Sequence, residues 1–349
     1  MGLPQIIINF RTAGSSAVRR SARGQAVLLA EGEKAELYSF SEAEQAESAG
    51  LEEDCRRLLR LCFLGGPAKV LLYLYPKGEE TAALARCAPA AEGGWLCAPQ
   101  MDAQTVTAFV KGKRAEGRPL RAGVSSKTGP DCAGIVNLTT QGITVLLEGK
   151  TESVDTADYC ARIAGILAGL SLRESATYYP LPEVTGFVRS EDEEADIAAG
   201  RLILDQGSEG ARIARAVTSL TTLSQPGDSA FQKIKIAEGV DLIRADIRSV
   251  FESEYVGKVL NDYDSKLLLV TAINSYFAGL EGSVLDTGRR NTAAVDFEAQ
   301  KHWLEGRGVD TAALSDTAIL SANTGSQVFL RANLRFADAM EDLTFEISM

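Results

Sequence analysis

The run Lys69-Val-Leu-Leu-Tyr-Leu-Tyr75, closed by Pro76, constrains the fold of this chain more than any other segment. A strand with one buried face alternates apolar and polar residues, whereas a continuous β-favouring run must be covered on both faces. The neighbouring segments supply that cover. Strands are predicted at Gln25 to Ala30, Ala35 to Phe40, and near 94–98, 119–124, 133–137 and 142–147. Helices are predicted near 79–87, 102–115 and 156–170, and Ser41 to Phe63 reads as helical with a break near Gly50. In the third helix Tyr159, Ile163, Ile166 and Leu170 step by four, three and four, which gives one buried stripe. Alternating strands and helices predict an α/β middle domain with a mixed, largely parallel sheet.

Farther along, Arg201 to Leu204 and Ala211 to Leu220 read as a hairpin with turn residues Gly207 to Gly210 between them. Thr222-Leu-Ser-Gln-Pro-Gly-Asp-Ser-Ala230 is rich in turn formers and reads as a linker. The pattern then changes. Ile236, Val240, Ile243, Ile247 and Val250 form one helical stripe, and Leu269, Ile273, Tyr276 and Leu280 form another. A helix at 294–306 precedes an alternating strand from Val328 to Phe336, with a turn around Ala337 to Met340. This region is an α+β C-terminal domain of helices on a hairpin.

The two ends carry opposite charge. Leu343, Phe345 and Ile347 alternate with Asp342, Thr344, Glu346 and Ser348, the period of a half-buried strand. The segment Asp338 to Met349 holds four acids and no Lys or Arg. The first thirty residues hold Arg11, Arg19, Arg20 and Arg23 and no acid, with a short apolar strand from Gln5 to Phe10. Two readings fit these facts. Each terminus completes a sheet of its own domain, or the ends add to strand edges of other subunits, since open edges recruit strands.

No catalytic or cofactor site assembles from the motifs. His302 is the only histidine, and it lies beside Trp303 in an ordinary amphipathic helix. Gly149-Lys150-Thr151 resembles the end of a P-loop, but Thr144 stands where the first glycine is required. Gly306-Arg307-Gly308 has Thr311 in place of the third glycine of a dinucleotide loop. The acidic run Glu191 to Asp196 follows Ser190, a predicted N-cap, and Asp262 and Asp264 are expected to cap the next helix. Six scattered cysteines without a C-x-x-C pair read as small buried hydrophobes in a reducing compartment, and zinc is not expected. A net charge of −11 argues against general nucleic-acid binding. No apolar run reaches the roughly 18 residues of a membrane span, and the N-terminal run, with Pro4 and Asn9, does not read as a signal peptide. At 349 residues, two or three domains are expected.

Several separate motifs, taken in order, resemble those of contractile tail sheath proteins of bacteriophages and of phage-tail-like bacteriocins. They are Ala164-Gly-Ile-Leu-Ala-Gly169, Glu174-Ser-Ala-Thr-Tyr178, Ala216-Val-Thr-Ser-Leu-Thr-Thr222 and Phe231-Gln-Lys-Ile-Lys-Ile236. Asp241-Leu-Ile243, Tyr255-Val-Gly-Lys258, Thr324-Gly-Ser326 and Asp338-Ala-Met-Glu-Asp342 continue the series. The resemblance runs from about Trp95 to Met349 and is strongest after Phe231, and Gly2 to Phe10 looks like the family's extended N-terminal arm. Two departures stand out. Thr218 occupies a position where the family often has Asn, and Phe40 to Lys69 is too short to hold the additional outer β-domain of larger sheaths.

The resemblance implies a structural protein, not an enzyme, with no cofactor. Its subunits would form hexameric rings stacked helically around an inner tail tube. Contraction of an extended, metastable state would drive the tube through a cell envelope. Implied partners are other copies, the tube protein, and baseplate and tail-terminator proteins, without nucleic acid or membrane insertion. The implied location is a virion or tailocin particle, assembled in the bacterial host cytoplasm. Strand-forming arms would link subunits through Ile6, Ile8, Phe10, Arg11, Arg19 and Arg20 at one end and Leu343, Phe345 and Ile347 at the other. The last three are also expected to cover the domain's own sheet. Lys233, Lys235, Arg244 and Arg248 are candidates to face the tube. The implied organisation is an arm at 1–24, a segment at 25–90 packing with the C-terminal domain, and an α/β domain at 91–221. A linker at 222–230 and an α+β domain at 231–349, ending in an exchange strand, complete it. A non-contractile self-assembling tail or capsid component is the alternative, although a tail tube would be mainly β. A nucleotide-dependent enzyme would suit the α/β region, but its phosphate loops fail.

Overall fold

A computed structural model describes residues 24–225 and 227–348. The predicted Gln5 to Phe10 strand and the arm residues Ile6, Ile8, Phe10, Arg11, Arg19 and Arg20 lie outside the described residues. The described chain divides into two compact units, residues 24–245 with 338–348, and residues 246–337.

The first unit begins with β1 (Gln25–Glu31), β2 (Glu36–Phe40), α1 (Glu44–Glu47), α2 (Glu53–Phe63), β3 (Lys69–Tyr75) and α3 (Glu80–Ala91). It continues with β4 (Trp95–Cys97), α4 (Ala103–Ala115), β5 (Ala122–Val124), β6 (Ile135–Leu138), β7 (Ile143–Leu147), β8 (Lys150–Val154) and α5 (Thr156–Gly169). Then come β9 (Val184–Gly186), α6 (Glu193–Ala198), β10 (Arg201–Leu202), β11 (Leu204–Gly207) and β12 (Gly210–Ile213), and α7 (Ile234–Val250) starts here. Seven strands form one sheet in the order β10-β6-β5-β4-β1-β3-β2, parallel except for β2 at its edge.

Both faces of this sheet are covered, as the 69–75 run requires. Ala26, Leu28 and Ala30 of β1 join a core with Leu58, Leu59, Ile163 and Ile166 of α2 and α5. Val27 and Leu29 join a second core with Leu84, Cys87, Val106 and Val110 of α3 and α4. Gly165 makes the first face possible, because a Cβ there would strike the Cys62 carbonyl of α2. Only a bare backbone fits so close a crossing.

Four expectations are corrected. The boundary expected between 90 and 91 runs through the sheet, since β1 pairs with β3 on one side and β4 on the other. Arg201 and Leu202 pair with β6, so the hairpin predicted from Arg201 is only β11 with β12. The division near 222–230 falls instead at 245/246, inside α7. Ion pairs hold the first part of α7 to the sheet unit. Arg114 donates to both Asp241 carboxylate oxygens at 2.6 and 2.9 Å, and Arg121 and Trp95 each donate to Glu238 at 2.7 Å. Asp241 is buried, and a buried charge needs such a partner. Asp192, not Ser190, caps α6, accepting from the Ala195 N–H at 2.9 Å.

The second unit contains a π-helical turn at Phe251–Tyr255, α8 (Tyr263–Leu280), β13 (Thr292–Val295), α9 (Phe297–Glu305), α10 (Asp316–Ser321) and β14 (Leu330–Asn333). The stripe Leu269, Ile273, Tyr276 and Leu280 is buried, and Asp262 caps α8 through the Ser265 N–H. The penultimate strand pairs antiparallel with β13, Val295 opposite Leu330, and not with the terminal acidic segment. Sequence reasoning also missed Lys266, which is 2% exposed and donates to Gln300, Thr324 and the Ala322 carbonyl at 3.2–3.3 Å. Burial lowers its pKa.

Candidate subunit-linking interface

The last described residues have strand composition but no strand partner among the described residues. Residues 341–348 adopt no ladder, and Leu343, Phe345 and Ile347 are 88%, 75% and 75% exposed. The expectation that they cover their own sheet is therefore overturned.

The base of the segment is fastened. Asp338 pairs with Lys233, and Asp342 with Arg215. Glu341, whose side chain is 7% exposed, accepts the Ser175 and Thr177 hydroxyls at 2.7 Å each and faces Arg215 Nε at 3.4 Å. Sequence reasoning counted Glu341 only as charge, and no local pattern links it to residue 175 or 215.

The four candidate tube-facing cations separate. Lys235 is buried, and its Nζ donates to the Leu172 carbonyl at 2.6 Å, with burial lowering its pKa. Lys233 is engaged with the acidic base of the terminal segment. Arg248 pairs with Glu252 at 3.0 Å, one turn along. Arg244 is exposed on α7. The helical stripe predicted for this region misled here, because Lys235 sits beside Ile234 and Ile236 on the buried side.

The other motifs take structural places. Gly149 lies in the β7–β8 turn with positive φ, and His302 is exposed on α9. Thr218 is buried, and its hydroxyl donates to the Phe231 carbonyl at 2.9 Å. All six cysteines are buried and free. Burial raises the Cys55 and Cys87 thiols to about 11 and that of Cys62 to about 12. Among the described residues no group of three or more His, Cys, Asp or Glu is placed to hold a metal, and no helix is long and apolar enough to cross a membrane.

The described residues thus form a covered α/β unit, a second unit with a two-stranded ladder, and a terminal segment held at its base and joined to no ladder among them. The chain belongs to the tail sheath protein family. It is 30% identical over 362 residues to the tail sheath protein of Clostridium phage phiCD119, spanning 100% of this chain and 99% of that one. Residues 227–349 match the phage tail sheath C-terminal domain family. The tail sheath protein of Staphylococcus phage Twort is 27% identical over 190 residues, 48% of this chain and 32% of that one. Two solved structures share the fold at 14% identity. A sheath tail protein from Desulfitobacterium hafniense gives a TM-score of 0.67, covering 85% of this chain and 92% of that one. The contracted helical sheath of the anti-feeding prophage gives 0.68, covering 100% and 99%.

Proposed function

We propose that this tail sheath protein polymerises as stacked hexameric rings around an inner tube and contracts to drive that tube through a cell envelope. The observation that carries the reading is the terminal strand, exposed at Leu343, Phe345 and Ile347 while its base is tied down. Neighbours in a contracting lattice must stay joined while their faces slide. Backbone pairing suits that need, because it requires a strand edge and not a fixed side-chain surface. Among the described residues the β13–β14 ladder has two strands, and such a pair gains stability from added strands. The basic arm at 1–24, with Ile6, Ile8, Phe10, Arg11, Arg19 and Arg20, complements the acidic terminal strand.

In this reading contraction draws on conformational free energy stored at assembly, as a trapped arrangement relaxes to a better-packed one. The tube, the baseplate and a tail terminator are its partners besides further copies. The particle is a virion or tailocin, assembled in the host cytoplasm. Arg244, with Arg248, remains the candidate for contact with an acidic tube. The relative solved as a contracted helical sheath supports the mechanism by its likeness of fold. Electron microscopy of purified particles tests it. The expected result is one cylinder in long and short forms around a tube. Cylinders of a single length, unchanged by triggering, would instead mark a non-contractile component.

A further inference from the structure

Four motifs that are far apart in the chain meet around one carboxylate. Glu174-Ser-Ala-Thr-Tyr178 supplies two hydroxyls, Arg215 stands at the head of Ala216 to Thr222, and Phe231 to Ile236 contributes Lys233. Asp338 to Asp342 brings Glu341 between them. Each base bridges two acids. Lys233 reaches Asp338 and, at 3.8 Å, Glu341, while Arg215 reaches Glu341 and Asp342. A segment held at one point can swivel, but one held at 338, 341 and 342 leaves in a set direction.

The backing of this clamp is itself fixed. Thr177 Oγ1 accepts the Ala216 N–H at 3.0 Å, and the Ala216 carbonyl accepts the Ile234 N–H at 3.2 Å. The Tyr178 N–H donates to the Ile213 carbonyl at 2.8 Å, and the Ile213 N–H donates to the Tyr179 carbonyl at 3.0 Å. Tyr178 takes a φ of 59°, a region that non-glycine residues seldom enter, and the Arg212 guanidinium lies 3.6 Å from its ring centroid. On either side of the buried Glu341 the chain is open, with Met340 and Leu343 almost fully exposed.

We infer that the Glu341 clamp is a positioning device, which aims the Leu343–Ile347 strand at a second copy of this chain. The inference rests on the proposed strand donation. Holding the strand in its outgoing direction before it docks reduces the conformational freedom lost on docking, so assembly is faster and in register. Glu341 is thus a positioning residue, and the apolar side chains beyond it make the contact.

The test uses the full chain with a nitroxide on Ser348→Cys, a selective site because the native cysteines are buried. Glu341→Ala should release the label into fast motion and slow polymerisation about tenfold or more, with melting of the unassembled subunit unchanged. Glu341→Gln, which can still accept from the hydroxyls, should fall between. Asp338→Asn with Asp342→Asn loosens the clamp without touching the buried carboxylate, and should give the same two effects if Glu341→Ala folds poorly. A wild-type assembly rate or an unreleased label in the properly folded variant overturns the clamp. Strand donation is judged separately. If L343S/F345S/I347S assembles normally, donation fails. If that variant is dead while Glu341→Ala behaves as wild type, only the clamp fails.

Discussion

Replacing Leu343, Phe345 and Ile347 together by Ser separates subunit stability from assembly. Full burial of each side chain is worth about 1.5–3 kcal/mol. In the subunit the three are 88%, 75% and 75% exposed, so only a small part of that stabilisation is realised there, about 1–2 kcal/mol in all. The remainder, about 4–7 kcal/mol per subunit, becomes available only when another copy covers the strand. A loss of about 4 kcal/mol corresponds to roughly a thousandfold in association. Calorimetry of the unassembled variant should therefore show a melting temperature within about 4–8 °C of wild type, using about 2–4 °C per kcal/mol for a domain of this size. Sedimentation velocity should show no polymer at concentrations where the wild type assembles. A much larger fall in melting temperature would mean that the strand belongs to its own unit. Polymer formed at wild-type concentration would refute the linking role.

Gly165→Ala should destabilise the sheet unit by about 1–3 kcal/mol in chemical denaturation, because the added methyl meets the Cys62 backbone where α2 crosses α5. Gly112→Ala on α4 is the control, since nothing lies within 4 Å of a Cβ there, and it should be neutral or slightly stabilising. Glu183 accepts from Arg162 Nε at 2.6 Å and from the Tyr159 hydroxyl at 2.7 Å, all buried, so Glu183→Gln should cost about 3–5 kcal/mol. Burial pushes the Glu183 carboxyl up, but Arg162 and Tyr159 outweigh it and hold the pKa below 4.5. A depressed folded pKa stabilises above the unfolded value, and that stability is lost as pH falls from about 4.5 through the folded value. Acid titration of unfolding should show this loss in wild type and not in Glu183→Gln.

The elements that a local pattern specifies were legible. A run apolar on both faces, as at 69–75, and stripes such as Leu269 to Leu280 reflect burial of the element itself, whatever covers it. The family motifs were legible for the same reason, as fixed local strings. Their purpose was not. Ser175, Lys233 and Glu341 sit in three separate strings and Arg215 directly before a fourth, and only folding brings them within bonding distance.

Periodicity states that a face is buried but not which partner buries it, and most of the corrections follow from that. Arg201 and Leu202 found β6 because strand pairing depends on long-range approach. The Val328 to Phe336 segment found β13, and residues 341–348 join no ladder among the described residues. Lys235 looked like a free surface cation until the Leu172 carbonyl met it in a buried site. By itself the sequence determined the α/β character, the two-sided cover of the central strand and the charge of the terminal segments. Tertiary structure alone decided strand order, which charges are paired and which apolar residues remain exposed, because each depends on groups distant in the chain coming within a few ångströms.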